Sequence, residues 1–328
     1  MVGATTWGTT LAFLLARNGH DVRLLCRTAD EASTVQASRR VHRATVLELP
    51  ESVQPTDDAG GAFEAVSAVV IAVPSQTIRQ NARLVRAALS PRSVVVHATK
   101  GLEHGTAKRV SEMLLEELPQ LTGADVCVLS GPNLATEIQR GLPATSVVAG
   151  ADGATVERVR SLFHRPSFRV YVSSDIAGVE LAGSLKNVVA IAAGIADGLG
   201  VGDNAKAGII TRGLAEITRL GVACGADAAT FAGLAGAGDV MATCYSPLSR
   251  NRRAGEAIGR GEAVESAVSG AGGVVEGAEA TAAACVLAAR HGVEMPIAEA
   301  LRRVLFEAVT PADAIRSLLE REATSESS

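Results

Sequence analysis

The sequence predicts a two-domain chain, a parallel α/β sheet domain followed by an all-helical one. Apolar, β-rich runs alternate with helix-periodic segments through the first half, the pattern of parallel strands covered on both faces. The strand signal stops after Ser173-Ser174-Asp175, and only helical segments separated by glycine-rich joints follow. With 328 residues the chain is also too long for one small core. The expected division is 1–172 and 173–328.

Taken in order, Met1-Val2 is too short for a central first strand, which typically needs about five residues. Either that strand is clipped or the chain start is placed late. Gly3-Ala-Thr-Thr-Trp-Gly8 stands at the first strand-to-helix turn, where GxGxxG seats a pyrophosphate on the helix N-terminus. Thr5 replaces the second glycine and is expected to crowd or shift the nucleotide. Trp7–Asn18 reads as a helix with Leu11, Leu14 and Leu15 on one side and Gly19 at its left-handed end. Val22–Cys26 reads as a strand closed by Arg27, at the position where such folds choose between NAD and NADP. Arg27 suits a 2′-phosphate and favours NADP, whereas Asp30 keeps NAD open.

Further strands are expected at Ala68–Val73, Ser93–Ala98, Val126–Leu129, Thr145–Ala149 and Phe168–Val172, with helices at Ile78–Leu89 and Thr106–Leu118. Helices then follow at roughly 176–197, 205–223, 227–235, 250–260, 278–291 and 296–307. The polar tail Glu322–Ser328 is expected to fray.

A net charge of −4 removes the basic footprint of a nucleic-acid binder. The cysteines Cys26, Cys127, Cys224, Cys244 and Cys285 form no CxxC and fit a reducing cytoplasm, neither a disulfide framework nor a zinc site. No secretory leader and no membrane insertion are expected, because the longest apolar run, after Lys186, meets Asp197 within about three helical turns. The histidines are scattered, so no metal is expected.

The lysines are the oddity. Lys100, Lys108, Lys186 and Lys206 stand against 27 arginines. Lys186 interrupts a largely apolar stretch, and Lys100 follows a strand-like run and precedes Gly101. An ammonium can be brought toward neutral pH by burial and neighbours, and a guanidinium cannot, so Lys100 and Lys186 are candidates for proton transfer. The plainer reading is a lysine snorkelling from a helix surface. Polar islands stand out elsewhere: Ser130-Gly-Pro-Asn133, Gly236-Ala-Gly-Asp239 with Thr243, Ser249-Arg-Asn-Arg-Arg253 and Gly273-Val-Val-Glu-Gly277. The first is a turn whose amides can receive an oxyanion. Ser249-Arg250-Asn251 offers a hydroxyl, a fork and an amide, which suits a phosphate dianion.

In series, these islands resemble the bacterial NAD(P)-dependent glycerol-3-phosphate dehydrogenases over essentially the whole chain. The resemblance runs through Trp7-Gly8-Thr9, Ala98-Thr-Lys-Gly101, Ser130-Gly-Pro132, Gly183-Ser-Leu-Lys-Asn-Val188, Thr211-Arg-Gly-Leu-Ala-Glu216, Gly238-Asp239, Ser249-Arg-Asn-Arg-Arg253 and Val275-Glu-Gly277. It implies a Rossmann domain followed by a helical substrate domain like the C-terminal part of 6-phosphogluconate dehydrogenase. It also implies NADP or NAD as cofactor and reversible reduction of dihydroxyacetone phosphate to sn-glycerol 3-phosphate for glycerophospholipid synthesis.

By the same resemblance Lys186 is the catalytic lysine, with Asn187 beside it, and Lys100 touches substrate and nicotinamide. Substrate contacts fall on Gly131, Asn133, Asp239, Ser249, Arg250 and Asn251, with Thr243 a further candidate. Cofactor contacts fall on Thr6, Trp7, Arg27, Lys100, Ala135, Arg250, Val274 and Glu276. The only other partner implied is a small phosphorylated substrate; a homodimer is left open. Two alternatives stand beside this reading: a related two-domain hydroxyacid dehydrogenase, and a nucleotide-binding relic weakened by Thr5 and the clipped first strand.

Overall fold

The computed structural model describes residues 1–41, 47–90 and 93–320. The tail Glu322–Ser328 lies outside the described residues. The first half alternates as α1 Thr6–Arg17, β1 Val22–Leu25, α2 Ala29–Ser38, β2 Val53–Thr56, α3 Ala59–Phe63, β3 Ala68–Ile71 and α4 Ile78–Arg86. It continues as β4 Val94–His97, α5 Val110–Glu117, β5 Val126–Ser130, α6 Ala135–Gln139, β6 Ala144–Gly150, α7 Gly153–Phe163 and β7 Phe168–Ser173.

The sheet order is β2-β1-Val2-β3-β4-β5-β6-β7. Val2 is all that remains of a central first strand. It pairs in parallel with both Leu25 and Ile71, its N–H donating to Val70 O at 2.7 Å and its carbonyl accepting from Ala72 N at 3.0 Å. One residue therefore keeps the sheet continuous where the sequence offers no full strand.

The expectation of an all-parallel sheet is corrected at one joint. β6 runs antiparallel to β5, with Cys127 opposite Gly150 and Ser130 opposite Val147. The connection between them holds only the five-residue helix α6, too little for the helical crossover that a parallel return needs. From β6 to β7 the eleven-residue α7 supplies that crossover, and this pair is parallel.

Alternation along β4 divides the sheet's two cores. Val94 and Val96 join Leu11, Leu14 and Phe163, whereas Val95 joins Ile78, Val85 and Leu114. The helix expected from Thr106 starts only at Val110, because Ala107 adopts φ 57° in a turn closed by Glu103 N–H on Lys108 O at 2.9 Å. Several elements are not expected from the sequence, and for two of them, β2 and α3, the reason is local. β2 carries Pro55, tolerated on an edge strand. α3 contains two glycines and is held by the Asp58 side chain, which accepts from Gly60 N and Gly61 N.

After Ser173 the described residues form helices: α8 Ile176–Leu199, α9 Asp203–Ala223, α10 Ala228–Ala232, α11 Asp239–Tyr245, α12 Arg250–Gly259, α13 Val264–Gly270, α14 Glu276–His291, α15 Pro296–Phe306 and α16 Pro311–Leu319. A π-helical turn over Leu234–Gly238 leads into α11. α8 begins at an Asp175 cap on Gly178 N and ends at Gly200 in the left-handed conformation.

By length and composition α8 could cross a membrane, contrary to the expectation from Asp197, but 83% of its apolar window is buried inside the protein. It is the core helix of this half, packed by α9, α11, α12 and α14, as an all-round apolar helix must be. Its closest neighbour is α12. A Cβ at Gly194 would stand 2.1 Å from Arg252 O, and one at Gly255 would stand 2.2 Å from Ile191 O. This backbone-to-backbone approach brings the start of α12 beside the middle of α8.

Candidate active site

Lys186 sits midway along α8, where the packing leaves it 6% exposed. Its ammonium donates to Asp239 Oδ1 at 2.5 Å and to Thr243 Oγ1 at 2.6 Å. Lys100, three residues past His97 at the end of β4, donates to the other oxygen of the same carboxylate, Asp239 Oδ2, at 2.5 Å and to Gly131 O at 3.1 Å. The two lysines thus come from different halves of the chain and meet on one carboxylate that is 2% exposed.

The π-helical turn delivers that carboxylate. Gly238 N–H donates to Gly233 O at 3.1 Å, and a Cβ at Gly236 would stand 2.1 Å from Phe231 O. The glycines of the Gly236-Ala-Gly-Asp239 island therefore permit the wide turn from which Asp239 starts α11, a device frequent at functional sites.

Burial is the largest influence on Lys186 and carries its pKa down to about 8, helped by Lys100 and opposed by Asp239 and Glu276. Near neutrality such an amine can both give and take a proton, and the neighbouring Lys100 can stabilise developing negative charge.

A second chain of hydrogen bonds runs away from Lys186. Asn187 Nδ2 reaches Glu276 Oε2 at 3.5 Å, Asn251 Nδ2 donates to Asn187 Oδ1 at 2.9 Å, and Asn251 Oδ1 accepts from Gly277 N at 2.9 Å. Burial raises the Glu276 carboxyl against the pull of Arg250, Lys100 and Lys186. Ser249 caps α12 by accepting from Arg252 N at 3.2 Å. Arg250 is exposed and lies along Gly273, where a Cβ would stand 2.7 Å from Nη1. Asn133 donates to Ser146 Oγ at 3.0 Å, while its Oδ1 and the neighbouring Ser130 Oγ are buried without a partner.

The remaining expected residues belong to other elements, and no described hydrogen bond or ion pair ties Trp7, Arg27, Ala135 or Val274 to the lysines. Thr6 and Trp7 form the first turn of α1, and Ala135 opens α6. Val274 is 50% exposed. Arg27 is exposed just past β1, with Glu31 Oε1 at 3.4 Å.

The first turn fits a dinucleotide. Gly3 has φ +105° and lies so close to the sheet that a Cβ would stand 2.7 Å from Ala72 O; at Gly8 a Cβ would stand 2.1 Å from Gly3 O. That closeness presents the α1 N-terminus, with its amides and dipole, at the strand ends. Thr5 has φ −87° and ψ 168°, extended backbone open to any residue. Its hydroxyl donates to Ala72 O at 2.9 Å and accepts from Gly8 N at 3.0 Å, so it caps the helix.

Lys206, to which the sequence assigned no role, is buried. It donates to Asp197 Oδ2 at 2.9 Å beneath the Tyr245 ring, and Arg252 Nε reaches the same oxygen at 2.7 Å. Glu180, a carboxylate within the apolar stretch of α8 and 5% exposed, is not among the expected site residues. A charge inside an apolar helix was the available signal.

Known proteins place this arrangement. Residues 1–156 match the N-terminal and residues 175–316 the C-terminal part of NAD-dependent glycerol-3-phosphate dehydrogenase. The chain is 46% identical to glycerol-3-phosphate dehydrogenase [NAD(P)+] of Moorella thermoacetica, covering 99% of this chain and 96% of that protein. It is likewise 46% identical to the Geobacillus thermodenitrificans enzyme of that name, over 98% of this chain and 94% of the other. The crystal structure of glycerol-3-phosphate dehydrogenase from Coxiella burnetii superposes with a TM-score of 0.91 at 37% identity, covering 98% of both chains. A ketopantoate reductase from Ralstonia eutropha, with a TM-score of 0.59 and 16% identity over 96% of this chain and all of the other, shares the fold alone. With both halves of the chain matched and relatives identical at nearly half of all positions, the chain belongs to the NAD(P)-dependent glycerol-3-phosphate dehydrogenase family.

Proposed function

We propose that the chain reversibly reduces dihydroxyacetone phosphate to sn-glycerol 3-phosphate with NADPH or NADH, supplying glycerophospholipid synthesis. The observation that carries this reading is the pair Lys100 and Lys186 held on Asp239. When bound, the nicotinamide supplies or accepts the hydride. Lys186 gives the proton that the reduced carbonyl oxygen needs and takes it back in oxidation. Lys100 polarises that carbonyl and stabilises the charge gathering on oxygen. Asp239 and Thr243 orient Lys186, and Asn187 with Asn251 places the substrate hydroxyls. Arg250, Ser249 and Asn251 hold the phosphate and Gly131 and Asn133 contact the rest of the substrate, so binding energy away from the reacting centre positions the carbonyl.

Thr6, Trp7, Ala135, Val274 and Glu276 are assigned to the dinucleotide, together with Lys100 and Arg250, which face both ligands. Thr5 occupies one N-terminal amide of α1, so we expect weaker pyrophosphate binding than in a chain with glycine there. Arg27 supports a preference for NADP, and Arg27→Ala should lower the NADPH-to-NADH ratio of kcat/KM about tenfold by removing a charge-assisted contact. We assign the dinucleotide domain to 1–172 and the substrate domain to 173–328, and place the protein in the cytoplasm. A homodimer is compatible with this reading, and sedimentation decides it.

The test is to follow NADPH and NADH oxidation with dihydroxyacetone phosphate beside unphosphorylated 2-keto acids. Turnover confined to the phosphorylated ketone supports the reading, and preference for a keto acid overturns it. Nucleotide binding without any turnover would mark a relic instead.

A further inference from the structure

Glu180 has no part in the proton transfer just described, yet it is the most heavily bonded buried carboxylate where the two halves meet. Oε1 accepts from Ser111 N at 2.7 Å and stands 3.0 Å from His97 Nε2. Oε2 accepts from Ser111 Oγ at 2.6 Å and from Arg109 Nη1 at 2.9 Å. All these groups come from the first half of the chain, whereas Glu180 belongs to α8. His97 is completely buried. One turn further along α8, Ser184 Oγ donates to Glu180 O at 2.8 Å and accepts from Gly101 N at 2.9 Å. Between them Gly183 lies so close to Ser130 that a Cβ would stand 2.8 Å from its hydroxyl oxygen.

The contacts form a frame. At one end Glu180 is bonded by Ser111 and Arg109 and stands against His97, and at the other Asp239 joins Lys186 and Lys100. From Glu180 to Lys186 the helix rises about 9 Å. From His97 to Lys100 the chain reaches at most about 10 Å. Two arms of similar length, joined again where Ser184 of α8 meets Gly101 just past Lys100, leave little freedom in how far apart the two ammonium groups can stand. Burying an ion costs several kcal/mol unless it is well paired. Burial pushes the Glu180 carboxyl up, but His97, Arg109 and Ser111 outweigh it and hold the group below its usual range.

We propose that Glu180, with Ser184, is a positioning residue of the reaction: it ties the strand end that carries Lys100 to the helix that carries Lys186 and so sets their separation on Asp239. This rests on the assignment of the two lysines to the reaction. A displacement of about 1 Å in such a constellation costs roughly a hundredfold in rate, while binding of each ligand, which the proposed phosphate contacts and the first turn share with Lys100, changes far less.

The experiment measures kcat and both KM values in the reduction direction, per folded molecule, on the full chain. Glu180→Gln keeps the size of the side chain and its acceptor for Ser111 N–H, but turns an amide toward Arg109. Its kcat should fall at least about tenfold with both KM values within about threefold. Ser184→Ala keeps the carboxylate and removes the bond to Gly101 beside Lys100, and should lower kcat about threefold to tenfold with the same constancy of KM. A Glu180→Gln kcat within about twofold of the parent, or a loss confined to KM, overturns the proposal. Should Glu180→Gln fail to fold, Ser184→Ala decides alone, and an unchanged kcat overturns it. An inactive parent chain would instead refute the proposed reaction, so the two failures are distinguishable.

Discussion

Asp239→Asn is the sharpest test of the lysine pair. The substitution keeps size and one carbonyl acceptor but removes the charge that both ammonium groups share at 2.5 Å. At an effective dielectric constant of about 20, the attraction lost to each lysine is roughly 5 kcal/mol at a charge separation of about 3 Å. The two nitrogens, one on each carboxylate oxygen, are at most about 7 Å apart, so their unscreened repulsion is about 2 kcal/mol or more. If half of the lost attraction reaches the Lys186 equilibrium, its pKa falls about two units, from the parent value of about 8 to about 6. At pH 7 the protonated fraction then drops from about nine-tenths to about one-tenth, a tenfold loss of proton donor. Lost orientation of the amine contributes about another tenfold. The assay is the initial rate of NADPH consumption with dihydroxyacetone phosphate from pH 5 to pH 9. The variant should be about a hundredfold slower at pH 7 and only about tenfold slower near pH 5, with its descending limb moved toward acid. A loss of the same size at every pH would refute the reasoning, because Asp239 would then act on geometry alone.

Arg250→Ala should raise KM for the ketone phosphate by about a hundredfold, the worth of a charge-assisted phosphate contact, with a smaller effect on kcat; an unchanged KM moves the phosphate site elsewhere. Gly255→Ala forces a Cβ to 2.2 Å from Ile191 O, so chemical denaturation should show a loss of about 3 kcal/mol or more, and wild-type stability would contradict the close α8–α12 approach. Glu216 accepts from Ile297 N at 2.8 Å and Ala298 N at 3.3 Å at the start of α15, and burial raises its carboxyl to about 7 against those amides. Because the folded pKa lies above the unfolded one, the unfolded chain ionises first as pH rises. Stability is therefore undiminished below about pH 4.5 and falls by up to about 3 kcal/mol by about pH 7. Glu216→Gln cannot ionise, so urea unfolding at pH 5 and pH 8 should show the stability difference shifting in its favour at the higher pH.

Much of this molecule is legible in its sequence because the signals are local. Asp175 caps α8 through its own side chain, Gly19 ends α1 at φ +86°, and β3, β4 and β5 are short apolar runs that only a covered sheet accommodates. Chemical type made Lys100 and Lys186 candidates beside the plainer reading of a surface lysine, and the family resemblance added Asp239. The antiparallel β6, the Pro-containing β2 and the glycine-containing α3 were not legible, since partners and caps set them rather than periodicity. Composition alone also misjudged α8, whose apolar length matches a membrane span until its neighbours cover it. The site divides in the same way. The sequence by itself determined which side chains can carry a proton, hold a phosphate or close a nucleotide turn, because those are properties of residue types in short order. Only the tertiary structure decided that Lys100 and Lys186, 86 positions apart in the chain, share one carboxylate, and that Glu180 and Ser184 hold their two arms in register. Distances across a domain junction are set by packing of α8 against the end of β4, and no local pattern encodes them.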